Sequence, residues 1–201
     1  MFGYIGRILH VDLTTGATST LPLHPALAQA YIGAGGMAAR LFLDLTLAKG
    51  LTPDPLDPGN PLIIMTGPLH GPTWPGRGRD TVAAHSPQTT YCGESNCGAD
   101  FGPFLKFAGF DGVIITGGAR EPGLLWVEDG RVELRPATHL WGLDTYDTTD
   151  ALWAEGGKGT KVFCIGPAGE RLVRYAAIIS DKEAAAGRSG MGAVMGSKRL
   201  K

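Results

Sequence analysis

The stretch PLIIMTGPLHG (61–71) returns later in the chain as KVFCIGPAGE (161–170), an apolar run that ends in Gly-Pro. Each run is short and bounded by turn formers, the pattern of a buried strand. The recurrence extends to both sides. Before 61–71 comes GRILHVDLTTGATSTLPL (6–23), whose apolar alternation and Thr-Thr-Gly turn predict a hairpin. PALAQAYIGAGGMAARLFLDLTLAKG (25–50) follows, with helical spacing of Leu27, Tyr31 and Ile32, then Leu41, Leu45 and Leu47, interrupted or closely packed at Gly33–Gly36. Before 161–170 come a hairpin over 123–136 with an Asp-Gly turn and a helix over 144–157. After each Gly-Pro the order is again alike: a strand (81–86 or 173–180), then a Gly-rich turn leading into a helix (95–102 or 184–201). DGVIITG (111–117) then adds a strand to the first half, and the second half has no counterpart.

These segments predict one α+β domain over 1–201, built from two related β-sheet halves, about 1–120 and 121–201, with flanking helices. The last strand of the second half is missing, which reads as a fragment or the first domain of something longer. Coincidence is the alternative, since strand–turn–helix orders recur widely. Glycine supplies 31 of 201 residues, against a usual share of about 7 per cent. No short repeat explains the excess, which points to tight turns and close backbone approaches.

A formal net charge of -1 gives no pull toward nucleic acid or an anionic membrane. No segment approaches the roughly 18 consecutive apolar residues of a membrane span, and MFGYIGRILHVDL lacks the layout of a signal peptide. Three cysteines are too few for a disulfide framework. The expected compartment is the cytoplasm.

Chemistry concentrates in AAAGRSGMGAVMGSKRLK (184–201). Gly190, Gly192 and Gly196 superficially resemble a dinucleotide fingerprint, but no strand runs directly into the first glycine and no acidic ribose partner follows. A phosphate loop is absent too. What remains is general physics: small residues let backbone N–H groups reach an anion, a helix start adds a favourable dipole, and Arg188 supplies a guanidinium fork. The first half offers a matching set, with Arg77 and Arg79 in PGRGRD (75–80) and Asn96 and Gly98 in SNCGADFG (95–102). Two Gly-rich helix starts in corresponding places suit a ligand with two similar anionic halves. Ordinary glycine-mediated packing with solvated arginines would account for the same residues.

Cys92, Cys97 and Cys164 cannot supply the four thiolates of an iron–sulfur cluster and read as core or incidental thiols, with Cys97 the one candidate cofactor neighbour. His10, His24, His85 and His139 show no metal-ligand spacing, and His70 reads as a solvated loop histidine. No hydrolase pattern is present, so no catalytic acid or base is assigned.

GYIGRILHVDLTTG, MTGPLHG, RDTVAAHSP, GADFGPFLKFAGFDGVIITGGA, HLWG, IGPAGERLVRYAAI and AAGRSGMGAVMGSKRLK together resemble the N-terminal domain of the tungsten-containing aldehyde:ferredoxin oxidoreductase family. The likeness runs from residue 3 to the last residue and covers about the first third of a family member. It implies a platform for a tungstopterin or molybdopterin (bis-pterin) cofactor whose phosphates a magnesium ion bridges, in an enzyme that oxidises aldehydes to acids, or the reverse, with ferredoxin-like carriers. It implies cofactor-binding roles for Arg79, Asn96, Gly98, Ala185, Gly187 and Arg188, with the carbonyls of Asn96 and Ala185 toward magnesium. The [4Fe-4S] cluster and substrate channel of the family belong to downstream domains, in the same enzyme or a separate subunit, so this chain alone would be inactive. Two departures stand out: Ala184 replaces a frequent basic residue, and Cys97 a more usual Ser or Gly. The other reading is a stand-alone scaffold or cofactor carrier that keeps the platform fold.

Overall fold

The computed structural model describes residues 2–71, 79–157 and 159–201. The first half contains the hairpin β1 (Arg7–Asp12) and β2 (Ala17–Pro22), helices α1 (Pro25–Tyr31) and α2 (Ala34–Lys49), strands β3 (Leu62–Met65), β4 (Asp80–His85) and β5 (Cys92–Cys97), helix α3 (Phe101–Phe107) and strand β6 (Gly112–Thr116). The second contains the hairpin β7 (Gly123–Glu128) and β8 (Arg131–Pro136), helix α4 (Thr145–Gly156), strand β9 (Phe163–Cys164), helix α5 (Pro167–Glu170), strands β10 (Ile178–Ser180) and β11 (Ala184–Ala186), and helix α6 (Met191–Ser197). The expected α+β architecture is found.

The first-half strands form one sheet in the order β2-β1-β6-β3-β4-β5. Only β1 and β6 run parallel, with Ile8 opposite Gly112; the other pairs are antiparallel. Both faces of this sheet are covered, so its central strands need apolar residues at every position. Leu62, Ile64, Val113 and Ile115 join a core with Met191, Val194 and Met195 of α6. Ile63, Met65 and Ile114 point the other way, onto Met37, Ala38 and Phe42 of α2. The second half forms a three-stranded sheet, β11-β10-β9, and the separate ribbon β7-β8.

One expectation is met and two need correction. The helix over 25–50 is interrupted at its glycine cluster into two helices, because the chain turns at Ile32 (φ 62°) and lays Gly33 against the end of β3. A Cβ on Gly33 would lie 2.9 Å from the Thr66 carbonyl oxygen, the same oxygen that accepts the Ala34 N–H at 2.9 Å. Residues 173–180 are strand only over Ile178–Ser180. The two Gly-rich turns are in part strands: Cys92–Cys97 pairs along all of β4, and Ala184–Ala186 pairs with β10.

Lys198 is fully buried, its Nζ donating to the carbonyls of Pro58 at 2.9 Å and Gly117 at 3.0 Å. Burial lowers its pKa from 10.5 to about 8, against the pull of Asp57 and Asp12. Between those values the unfolded chain holds a proton that the folded chain has released, so stability rises with pH across this window and the cost is fully present below it. The rise from pH 8 to 9 is about 1 kcal/mol at most. Lys198→Met should flatten this part of a urea-derived stability profile, and an unchanged slope would refute the assignment. Cys97 and Cys164, with pKa raised to about 12 and about 11 from 9.0 chiefly by burial, already oppose the trend between pH 8 and 9 in both proteins, so the difference between the two slopes isolates Lys198.

Candidate functional site

β5 and β11 are edge strands of different sheets, and the two edges meet. Serines stitch the seam. Ser95 Oγ accepts the Arg188 N–H at 2.9 Å, the Ser189 hydroxyl donates to the Glu94 carbonyl at 3.1 Å, and the Ser86 hydroxyl donates to the Ser189 carbonyl at 2.9 Å. Gly93 permits the approach: a Cβ there would stand 2.7 Å from the Cβ atoms of both Ser86 and Ser189.

This seam gathers the residues singled out from the sequence. β5 alternates, with Gly93, Ser95 and Cys97 buried and Cys92, Glu94 and Asn96 exposed. The Asn96 amide oxygen accepts the Thr81 hydroxyl at 2.8 Å, which anchors its side chain to β4. Gly98 follows, half-buried, and a Cβ on it would lie 3.9 Å from the Cβ of Ala184 across the seam. Ala185, Gly187 and Arg188 are exposed on the facing strand and the turn after it. Arg79, also exposed, precedes Asp80, which pairs with Cys97, so it sits at the Gly98 end of β5. Residues from both halves therefore share one open surface. Neither Arg79 nor Arg188 forms an ion pair with a described carboxylate. Arg77 lies outside the described residues.

The helix starts behave differently from the sequence expectation. The N-terminus of α3 already faces an anion of the protein's own: the buried Asp80 carboxylate lies against Gly102, where a Cβ would be 1.7 Å from its Oδ1, although neither carboxylate oxygen has a hydrogen-bond partner among the described residues. His70 is not solvated but buried beside it. Its Nδ1 lies 2.8 Å from the Gly67 nitrogen and 3.2 Å from the Gly67 carbonyl oxygen, and its Nε2 lies 3.0 Å from Asp80 Oδ1, within ion-pair distance but without hydrogen-bond alignment. Burial raises the Asp80 pKa while His70 and the Gly102 N–H oppose the rise. At α6, the Gly192 N–H donates to the Ala176 carbonyl at 2.9 Å, and Ala193 bonds back to Gly190 at 3.0 Å. The helix is buried from Met191 to Gly196. Gly190, Gly192 and Gly196 serve close packing: Cβ atoms there would fall 2.0, 2.4 and 2.0 Å from the carbonyl oxygens of Arg174, Ala177 and Gly169. An anion would meet the strand edges and the Gly187–Arg188 turn, not a helix end.

Sequence reasoning missed Ser86, Ser95, Ser189 and the Asp80–His70 pair. The one available signal for the serines was the small-residue alternation in CGESNC. Cys97 and Cys164 are buried and Cys92 exposed. Among the described residues no group of three or more His, Cys, Asp or Glu is placed to hold a metal ion, and no helix is long and apolar enough to cross a membrane.

Residues 8–201 match the family model described as aldehyde ferredoxin oxidoreductase, N-terminal domain. The whole chain is 44% identical to a tungsten-containing aldehyde ferredoxin oxidoreductase of Thermococcus kodakarensis and 42% identical to one of Pyrococcus furiosus, and it spans 33% of the length of each. It is 34% identical to the WOR-like subunit of an aliphatic sulfonate oxidoreductase of Pyrococcus furiosus, again over the whole chain and 34% of that protein. Among solved structures it is similar to a chain of the BamBC active-site complex of benzoyl coenzyme A reductase with 1,5-dienoyl-CoA. The TM-score is 0.93 at 35% identity, covering 100% of this chain and 30% of that one.

Proposed function

The chain belongs to the aldehyde ferredoxin oxidoreductase family as its N-terminal domain, and on that footing we propose that it is the cofactor platform of a tungsten or molybdenum bis-pterin oxidoreductase. The observation that carries this reading is the β5–β11 seam, which brings residues of both halves onto one open surface. The surface suits such a group in two respects. Each of the two strands is an edge strand, so alternate backbone carbonyls turn away from their own sheet, and such hard oxygens, those of Asn96 and Ala185 in this proposal, suit magnesium. Guanidinium groups at Arg79 and Arg188, which form no ion pair with a described carboxylate, suit phosphates. Gly98 and Gly187 add no side chain between backbone and ligand. Ala184, 3.9 Å from the Cβ position of Gly98, brings no cation of its own to this surface.

When bound, the pterin-held metal supplies the redox chemistry. The chain's own residues bind and orient: the serine stitches fix β5 against the turn after β11, Thr81 holds the Asn96 side chain, and the arginines offset negative charge. The relatives' names, tungsten-containing aldehyde ferredoxin oxidoreductases, support an enzyme that oxidises aldehydes to acids, or the reverse, with ferredoxin-type carriers; in this proposal it works in the cytoplasm. Its [4Fe-4S] cluster and substrate channel belong to further domains, and the present chain is inactive alone.

The test is to produce the chain with tungstate and molybdate and measure metal and released pterin per chain. Pterin should co-purify with one of the metals, and Arg79→Ala and Arg188→Ala should each lower retention about tenfold, the loss of one charge-assisted phosphate contact. Arg135→Ala, on the distant β8, should not. An empty chain, or retention indifferent to both arginines, would sink the proposal.

A further inference from the structure

The serine bonds hold one end of the seam, tying Ser86, Glu94 and Ser95 to Arg188 and Ser189. At the other end, where Gly98 faces Ala184, a charge spans the two edges. The Lys161 ammonium reaches two carboxylates at once, Asp100 at 3.2 Å and Asp181 at 3.5 Å. Asp100 follows Gly98 by two residues and caps α3. Asp181 lies in the short turn 181–183 that joins β10 to β11, three residues before Ala184. One cation therefore links the chain just past the first-half site residues to the chain just before the second-half ones.

Asp181 is held firmly. Its N–H donates to the Val162 carbonyl at 3.0 Å, and its Oδ1 accepts the Val162 N–H at 2.8 Å, which carries the β9–β10 pairing one residue further. The turn has positive φ at Asp181 (48°) and Lys182 (66°) and closes with the Glu183 N–H on the Ser180 carbonyl at 2.9 Å. Asp181 Oδ2 is buried without a hydrogen-bond partner among the described residues, and the side chain is 3% exposed. A carboxylate in that position is costly unless a cation stays beside it. Lys161 is thus anchored at Asp181, and the Phe104 ring of α3, 5.2 Å from its Nζ, confines it on the other side. The charge of Asp181 also reaches β5: burial raises the Cys97 pKa first, and Asp80 and Asp181 add to the rise. Left uncompensated, that charge would work against an anion on this surface.

We propose that Lys161 is a positioning residue of the platform. It pins the Gly98 end of β5 to the start of β11, so it sets the spacing between the Asn96 and Ala185 edges, and it offsets the two carboxylates beside them. Its role toward the cofactor rests on the platform reading above. The tie between the edges does not.

The experiment compares five forms of the 201-residue chain made with tungstate and molybdate: unaltered, Lys161→Met, Lys161→Arg, Asp100→Asn, and Lys161→Met with Asp100→Asn. Hydrogen exchange is read by mass spectrometry at 96–100 and 184–186, with β6 as reference, and bound metal and pterin are measured alongside. Lys161→Met should speed exchange at both edges by about fivefold or more and lower retention by a similar factor. Lys161→Arg should keep both, because a guanidinium can span the same two carboxylates. Asp100→Asn changes only the first-half edge, yet it should speed exchange at 184–186, and the double variant should be no faster there than Lys161→Met.

An Asp100→Asn effect confined to its own edge, additive effects in the double variant, or a Lys161→Arg chain as perturbed as Lys161→Met would overturn the tie. If Lys161→Met also loosens β6, Asp100→Asn decides alone, since asparagine is as good a helix cap as aspartate. Loosened edges with full retention would overturn the role toward the cofactor. An unaltered chain without pterin would sink the platform reading and that role with it, and the exchange rates would still decide the tie.

Discussion

Gly196→Ala should destabilise this chain by about 2 kcal/mol or more in urea denaturation, although helix propensity alone favours alanine over glycine by about 1 kcal/mol. Gly196 sits within α6 at an ordinary helical φ, so nothing local forbids a side chain. The obstacle is tertiary. A Cβ would stand 2.0 Å from the Gly169 carbonyl oxygen, 2.6 Å from its carbon and 3.2 Å from the Glu170 nitrogen, all backbone atoms of α5 that cannot rotate aside. Prising two helices apart in a packed core costs roughly 1–3 kcal/mol and more where backbone must move. Gly159→Ala provides the comparison: nothing lies within 4 Å of its Cβ position and its φ is not positive, so its effect should stay within about 0.5 kcal/mol. A neutral or stabilising Gly196→Ala would mean that α5 and α6 do not pack as described.

Lys201→Met should cost more, about 3–5 kcal/mol, the usual penalty for stripping one partner from a buried ion pair. Lys201 and Glu170 are bonded side chain to side chain at 0% and 5% exposure. Each has further duties: Lys201 Nζ donates to the Leu143 carbonyl at 2.8 Å, and both Glu170 oxygens accept the Gly142 N–H, at 3.0 and 2.9 Å. The pair ties the last residue of the chain to the helix after Gly-Pro and to the loop before α4. Removing the ammonium leaves a buried carboxylate with one backbone donor. Glu170→Gln added to Lys201→Met should recover part of the loss, since a neutral amide still accepts the Gly142 N–H. Strictly additive losses in the double-mutant cycle would contradict a direct pair.

How much of this was readable in advance follows from where the hydrophobic contrast lies. LIIM and GVIIT form central strands with both faces covered, and continuous apolarity announces that locally. β5 and β11 escaped notice because CGESNC and AAA carry almost no contrast between buried and exposed faces. Their strand state comes from pairing with β4 and β10 and from serine bonds spanning about a hundred residues of sequence. The residues singled out by type and by family resemblance lie together on one surface. The two helix starts offered as the reason for them are not open: the Asp80 carboxylate lies against one and backbone packing closes the other.

The sequence by itself determined the α+β class, the two leading hairpins and the central strands LIIM and GVIIT, because burial pattern and turn chemistry act over a few residues at a time. It also marked the terminal glycines as structurally demanding, without saying for what. Only the tertiary structure decided that Gly190, Gly192 and Gly196 accommodate neighbouring backbone, and that the two sheet edges meet at a serine-bonded seam. Each of these depends on which distant atoms arrive at a given Cβ position or carbonyl, and no pattern along one stretch of chain carries that information.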